Sequence, residues 1–465
     1  MFVGRERELN KLEELYRSGK FECAVIYGRR RVGKTALIRE FIRDRKAVFF
    51  TATETSGQGN LENFSRSIHE FFYQGGLDAP LYRNFEEALK MVYDHAAPER
   101  LVLVIDEYPY LAASYRAISS ILQKMIDHQF KETKLMLILC GSSMSFMENQ
   151  VMGYKSPLYG RRTAQFKIEP LGFFESKSFF TRFKIEDLAL VYGITWGVPQ
   201  YLELVDEKKS AGENIRAMFL DPKSYLFEEP SNLLKQEVRE PALYNAIIRT
   251  IAMGSAKLTE IADKAGIETA LSVSYLRNLC SLGIVKKEEP VTGDSRRKTI
   301  YRIGDSMYRF WYRFVPPLMD LIMNDAAREA WKWIEPELPA FMGHVFEDIS
   351  KEWLWKENAS GRLPFVFSSA GRWWGHDNVR KEEAEIDILG FSPDREEAIF
   401  GECKWTNSLV DATVLETLSA RANLFRYRNK YLYLFAKRGF TAGCKKAAGR
   451  LNARLITFAE MNSGL

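Results

Sequence analysis

The stretch Gly28-Arg29-Arg30-Arg31-Val32-Gly33-Lys34-Thr35 decides how the chain is read. Its pattern is G-x-x-x-x-G-K-T. Just before it, Cys23-Ala24-Val25-Ile26-Tyr27 is a short apolar run, the signature of a buried parallel strand. Just after it, Ala36-Leu37-Ile38-Arg39-Glu40-Phe41 opens a helix. Strand, loop and helix in that order are the context a phosphate-binding loop requires. The glycines let the backbone curl, so that N–H groups from Gly28 to Gly33 point at phosphate oxygens. The helix that follows presents its positive end to the same anion. Lys34 is expected to reach the β- and γ-phosphates, and the Thr35 hydroxyl to ligate Mg²⁺.

With 465 residues, roughly two to four domains are expected. An apolar fraction of 46% with 27% charged residues suits a protein with several cores. The net charge of +5 is too small to argue for nucleic acid without local clustering. Five scattered cysteines, Cys23, Cys140, Cys280, Cys403 and Cys444, read as reduced core residues. The N-terminus carries no apolar signal region, and no apolar run approaches a membrane span. The expected compartment is the cytoplasm, with no membrane contact.

Leu101-Val102-Leu103-Val104-Ile105 is a second buried strand, and Asp106-Glu107 follows it. In open α/β sheets ligands bind at the carboxyl ends of strands. Asp106 is expected to hold Mg²⁺, and Glu107 to orient or deprotonate the attacking water. Lys134–Cys140 makes another strand, after which Ser142 or Ser143 is a candidate to sense the γ-phosphate, against the alternative of a simple turn. In Tyr159-Gly160-Arg161-Arg162, Arg161 is a candidate arginine finger, against the alternative of a solvated basic turn. Residues 61–97 are expected to be helical, and 173–235 to form a helical lid interrupted at Trp196-Gly197-Val198-Pro199.

Phe2-Val3-Gly4-Arg5-Glu6, the glycine loop, Ile105-Asp106-Glu107, Gly141-Ser142-Ser143, Tyr159-Gly160-Arg161-Arg162 and Gly197-Val198-Pro199 occur in a familiar order. The order resembles that of archaeal-type P-loop ATPases, relatives of AAA+ and STAND proteins. The resemblance covers about the first half of the chain. It implies that Val3, Gly4 and Arg5 lie against the adenine of ATP. It also implies that Asp106 and Glu107 form a Walker B pair and that Pro199 starts a sensor-2-like helix.

Residues 236–305 have the rhythm of a helix-turn-helix with a β wing. Leu258–Ala265 is a short helix closed by Gly266, Val273–Leu279 lies on the next, and Gly283–Lys287 and Thr299–Ile303 pair as strands. This resembles the winged-helix domains that follow such ATPases. DNA is the expected partner, with Ser272, Ser274, Tyr275 and Arg277 offered to a groove and Arg296, Arg297 and Lys298 to phosphates. Packing against another domain is the alternative. Residues 306–340, rich in aromatic side chains, form a helical connector.

The last block, 341–465, reads as helix 341–357, strands 364–368, 384–390 and 398–405, helix 411–426 and strand 430–436. Glu402 and Lys404 share one strand face, and Asp387 on the neighbouring strand can converge with them. Asp387 and Glu402 would hold Mg²⁺, Glu347 could add a ligand, and Lys404 would neutralise charge at the scissile phosphate. The order of elements resembles the PD-(D/E)XK nuclease fold. Arg372-Trp373-Trp374-Gly375 and Gly401-Glu402-Cys403-Lys404-Trp405 resemble more closely a C-terminal domain of unknown function often fused to archaeal-type ATPases. The expected architecture is therefore a multi-domain α/β chain. It comprises an ATPase core over 1–172, the lid, the winged helix, the connector and a restriction-endonuclease-like domain. The expected function is ATP hydrolysis coupled to a DNA-directed, metal-dependent endonuclease. The alternative is an ATP-dependent regulatory switch or DNA-binding regulator whose last domain is inactive. A homo-oligomer or a protein partner fits either.

Overall fold

The computed structural model describes residues 2–73, 81–293, 298–377 and 380–463. The chain divides into two compact units, one running to Leu171 and including Val198–Glu203, the other formed by Gly172–Gly197 and Leu204 onward.

In the first unit, β1 (Glu22–Tyr27), β2 (Ala47–Thr51), β3 (Leu101–Asp106), β4 (Leu135–Gly141) and β5 (Ala164–Lys167) form a sheet in the order β2-β3-β4-β1-β5. All its pairings are parallel. Every residue of β1, β3 and β4 is buried, as unbroken apolar runs predict for strands covered on both faces. Alternate residues feed two cores. Leu103 and Ile105 pack with Phe64 and Phe85, while Val102 and Val104 pack with Leu37 and Ile38. β4 lies between β1 and β3, so Ser142, just past its end, sits between the glycine loop and Asp106-Glu107. The expected helix over 61–97 is two helices, Gly57–Tyr73 and Phe85–Ala96; positions 74–80 lie outside the described residues.

The second unit begins with helices that include Ile185–Thr195, Ala211–Phe219 and Tyr225–Glu237. Three further helices follow, Pro241–Ala252, Leu258–Ala265 and Thr269–Ser281, and then the antiparallel pair β6 (Val285–Glu288) and β7 (Ile300–Ile303). Gly266 ends the second of these helices at φ +66°, where a side chain would be strained. The aromatic connector is core: Tyr308, Phe310, Tyr312 and Phe314 are buried, and the Trp311 indole donates to the Phe227 carbonyl at 2.6 Å.

After the long helix Leu338–Ala359 come β8 (Ser369–Asp377), β9 (Glu382–Phe391), β10 (Glu397–Lys404), β11 (Asn429–Ala436) and β12 (Arg454–Thr457). Their sheet order is β12-β11-β10-β9-β8. β8, β9 and β10 pair antiparallel, and β10, β11 and β12 pair parallel. The helices Ala412–Ala422 and Ala442–Leu451 carry the parallel crossovers and share a core with Ile386, Phe400 and Leu434. The expected strand at 364–368 is absent; the strand begins at Ser369. Asn358 explains this, because its side chain accepts from the Phe367 N–H at 3.0 Å and donates to the Phe367 carbonyl at 3.1 Å. A side-chain amide thus takes the backbone groups a neighbouring strand would have used.

Two candidate functional sites

At the first site, Gly28 cannot be replaced without moving backbone: a Cβ there would lie 2.2 Å from the Ile168 carbonyl oxygen. Gly33 has φ +89° and precedes the helix Lys34–Ile42. Lys34 is buried, and its ammonium donates to the carbonyls of Gly28 at 2.9 Å and Arg29 at 2.8 Å. Burial pulls its pKa below the usual lysine range, against the opposing charges of Glu107 and Asp106. The Thr35 hydroxyl donates to Asp106 Oδ2 at 2.9 Å. Two hard oxygen donors, one from the loop and one from the strand, thus meet, and both are of the type magnesium takes. Glu107 stands at φ +51°, and its Oε2 accepts from the Ser142 hydroxyl at 2.8 Å and from the Ser142 N–H at 3.3 Å.

Other expected residues have different surroundings. Arg5 is buried, donates to the Val32 carbonyl at 3.1 Å and to the Glu169 carbonyl, and lies 3.5 Å from Glu8. It braces the loop from behind, with Val3 and Gly4 partly exposed beside it. Arg30 donates to the Tyr110 hydroxyl at 2.8 Å, a partner the sequence did not suggest. Arg29 and Val32 complete the loop, and Arg31 adopts φ +74°. Pro199 does reach the loop, its Cγ lying 3.7 Å from where a Gly33 Cβ would be. Arg161 is committed elsewhere: it pairs with Asp127 at 2.6 Å and donates to the carbonyls of Pro157 and Tyr159. The finger reading of Arg161 gains nothing from this geometry, which makes it a brace for its own turn.

The second site lies where β9 and β10 separate. Their pairing runs from Ala398↔Phe391 to Gly401↔Ile388. On the other side of β9, Gly371 pairs with Leu389 and Trp373 with Ile386, so three steps along β9 oppose two along β8. Asp387 lies in that bulge, a device that re-aims a side chain. Its Oδ2 accepts from the Cys403 N–H at 2.8 Å. Burial, and then the charges of Glu402 and Glu347, push its pKa up to about 7. Glu402 is buried and accepts from Lys404 Nζ at 2.7 Å, with Arg421 at 3.7 Å from its other oxygen. Burial pulls the Lys404 ammonium down, but the charge of Glu402 outweighs it and the pKa is raised.

Glu347 is not left for a cation. His344 Nδ1 is 2.9 Å from its Oε1, while Arg372 at 3.4 Å and Arg302 at 3.9 Å approach Oε2. Burial alone would push it up; the His344 bond and the charges of Arg372 and Arg302 hold it below the usual range. Among the described residues, no group of three or more His, Cys, Asp or Glu side chains is arranged to hold a metal. Sequence reasoning quoted Arg372 only as part of a motif and missed Arg302, Glu288 and Arg421, since nothing local marks them as partners of acids far along the chain.

The expected groove-reading set also changes. Ser272 and Tyr275 are buried, and the Tyr275 hydroxyl bonds Glu240 at 2.6 Å. Ser274 and Arg277 are exposed on the same helix. Arg296 and Arg297 lie outside the described residues. Among the described residues, no helix is long and apolar enough to cross a membrane.

Comparisons with known proteins match these two halves separately. Residues 2–205 match an ATPase domain family predominantly from Archaea, and residues 311–417 match a family of archaeal and bacterial proteins of unknown function. Among solved structures, a Walker-type ATPase of Pyrococcus abyssi is similar at 19% identity and TM-score 0.51, covering 67% of this chain and 96% of that one. This supports the fold of the ATPase part. An uncharacterized ATP-binding protein of Methanocaldococcus jannaschii is 48% identical over 46 residues, 10% of this chain and 78% of its own length. An uncharacterized protein of the same organism is 33% identical over 406 residues, 87% of this chain and 88% of its own. The chain belongs to the family of that archaeal protein, and its N-terminal part is a P-loop ATPase domain of the kind found predominantly in Archaea.

Proposed function

We propose that the protein hydrolyses ATP at the Gly28–Thr35 loop and acts on DNA, with Asp387, Glu402 and Lys404 as a metal-dependent endonuclease site. The observation that carries the second part is Asp387. Its carboxyl is held near 7 by burial and by two neighbouring carboxylates, a repulsion that a divalent cation relieves. Two carboxylates plus substrate phosphate are a normal donor set for magnesium.

At the loop, Lys34 exchanges its two carbonyl partners for the β- and γ-phosphates. Thr35 and Asp106 would hold magnesium, and Pro199 closes on the loop beside Gly33. Glu107 takes a proton from water as its oxygen attacks the γ-phosphorus, with ADP as leaving group. Ser142 keeps the Glu107 carboxylate aimed. Val3, Gly4 and Arg5 back the adenine side. At the second site Asp387 and Glu402 would hold the cation, which when bound would supply charge for the scissile phosphate and lower the pKa of water there. As a water oxygen bonds to the phosphorus, the P–O bond to the sugar oxygen would break and that oxygen take up a proton, while Lys404 neutralises charge on the phosphate oxygens. In the winged-helix-like segment, Ser274 and Arg277 face a groove, and Lys298 a phosphate.

A second reading, an ATP-driven switch whose last domain binds without cutting, is favoured by one observation. Lys404 is spent on Glu402, and Glu347 on two arginines. The test is cleavage of linear, supercoiled, single-stranded and branched DNA with Mg²⁺ or Mn²⁺, with and without ATP. Cleavage lost in Asp387→Ala and Glu402→Ala, with ATP hydrolysis retained, supports the nuclease. No cleavage by the unaltered protein under any of these conditions removes it.

A further inference from the structure

Asp387 and Glu347 line a cleft of about 290 Å³ whose opposite wall is not part of the last domain's sheet. That wall comes from the β6–β7 pair and its flanks: Lys287, Glu288, Val291 and Arg302. Four charged groups close it. Arg302 lies 3.6 Å from Glu288 and 3.9 Å from Glu347; Arg372 lies 3.7 Å from Glu288 and 3.4 Å from Glu347. Two guanidiniums and two carboxylates alternate in a ring, half from the β6–β7 pair and half from the domain that holds Asp387.

The ring is partly buried and poorly bonded. Arg302 Nη1, Glu288 Oε2 and Glu347 Oε2 have no hydrogen-bond partner among the described residues. Coulomb attraction at these distances opposes a desolvation cost that hydrogen bonds do not offset. Such a contact specifies one arrangement while adding little stability, which is the behaviour of a catch. Two hydrogen bonds to backbone carbonyls seat the pair beside it. The Val291 N–H donates to the Arg372 carbonyl at 2.9 Å, and the Trp374 indole to the Lys298 carbonyl at 3.0 Å. These cover the free edge of β8.

We infer that the β6–β7 pair is an autoinhibitory cover, latched over the Asp387 cleft by the Arg302–Glu288–Arg372–Glu347 ring, and that it must swing away for a phosphodiester to reach Asp387. The substrate part of this statement rests on the nuclease reading; the latch does not. A nucleic-acid backbone is a natural opener, because its phosphates compete with Glu288 and Glu347 for both guanidiniums.

The first measurement is amide hydrogen exchange on the full chain, unaltered and Glu288→Gln. Removing one charge from the ring should speed exchange over 285–293 and 369–375 by about tenfold or more while the Asn429–Ala436 strand stays protected. Unchanged exchange overturns the latch, whatever the cleavage assays give. The second uses Val291→Cys with Gly371→Cys, since a Cβ at Gly371 would lie 3.2 Å from Val291 Cβ, close to disulfide spacing. Oxidised, this protein should lose DNA cleavage, and dithiothreitol should restore it. Equal cleavage in both redox states overturns the cover. Faster exchange in Glu288→Gln with no cleavage by any form, reduced or oxidised, upholds the latch and removes the nuclease reading.

Discussion

The carboxylates at the two sites differ in what answers their charge. At the end of β3, Asp106 accepts from Thr35 at 2.9 Å and Glu107 from Ser142 at 2.8 Å, both donors being neutral hydroxyls next to the sheet's own strand ends. At the β9 bulge, Asp387 has one backbone donor, Cys403 N–H, and two carboxylates nearby, so burial and repulsion dominate. In the first arrangement each carboxylate has a hydroxyl donor. The second is incomplete, and its neighbours are already paired: Glu402 with Lys404 on its own strand and with Arg421, Glu347 with Arg372 and Arg302 from other elements. A satisfied site can wait for substrate in the open. An unsatisfied one benefits from a cover, and the chain provides one in the β6–β7 pair.

The sharpest way to break this contrast is Lys34→Ala. If the loop is the only nucleotide site, ATP hydrolysis should fall by about 10³-fold, the scale at which removal of a charge-stabilising group acts. DNA cleavage measured without ATP should be untouched. Residual hydrolysis near the unaltered rate would show that the loop is not the catalytic centre. Next in size is Glu107→Gln, which keeps shape and removes the base. ATP binding, read by fluorescence of a nucleotide analogue, should persist while turnover falls about 10²-fold or more. Normal turnover would remove Glu107 from its role.

These two residues were legible because everything that defines them is local. The loop, its preceding strand and its following helix lie within twenty residues of one another, and Asp106-Glu107 ends an unbroken apolar run. The last domain was readable only as an order of elements. Pro364-Phe365-Val366-Phe367-Ser368 has strand-like composition, but Asn358, on another element, captures the Phe367 backbone. The alternation that placed Asp387 beside Glu402 and Lys404 is broken by a bulge, which no period-two reading includes. Ser272 and Tyr275 sit at positions a recognition helix would use, yet face its own core, where Tyr275 stacks edge-on against Tyr244 at 4.7 Å. Arg5, expected at the adenine through resemblance, also spans two carbonyls, one of them 164 residues away, and nothing local shows that second partner. Each of these features is set by a contact outside the local pattern, from nine residues away at Asn358 to 164 at Arg5.

The Asp387 contrast is sharpened by pH. An aspartate in an unfolded chain titrates near 4. In the folded chain Asp387 titrates at about 7. Between these values the native state holds a proton that the unfolded chain releases, so stability falls as pH rises through this window and the full penalty is present above it. Asp387→Asn should therefore raise the melting temperature at pH 8 by a few degrees, roughly the effect of 1–2 kcal/mol, with a smaller shift at pH 5. Cation binding has the opposite sense: it requires the carboxylate, so Mn²⁺ affinity should climb with pH through neutrality. An Asp387→Asn protein with the same melting temperature as the unaltered chain at both pH values would mean that Asp387 carries no such strain.

The smallest effect tests the satisfied site. Ser142→Ala removes the hydroxyl that donates to Glu107 at 2.8 Å and leaves the longer 3.3 Å backbone contact. One neutral-to-charged hydrogen bond is worth about 1–2 kcal/mol, so kcat for ATP should drop by roughly 5- to 30-fold. If the hydroxyl only aims the carboxylate, KM should not move, because aiming acts in the transition state and not on bound ATP. Ser142→Thr, which keeps the hydroxyl, should recover most of the loss. If instead Ser142 touches the γ-phosphate directly, KM rises together with the fall in kcat, and the Glu107 contact belongs to the nucleotide-free state alone. The same substitution should leave the metal-dependent cleavage of DNA unchanged without ATP, since Ser142 and Asp387 belong to separate sheets.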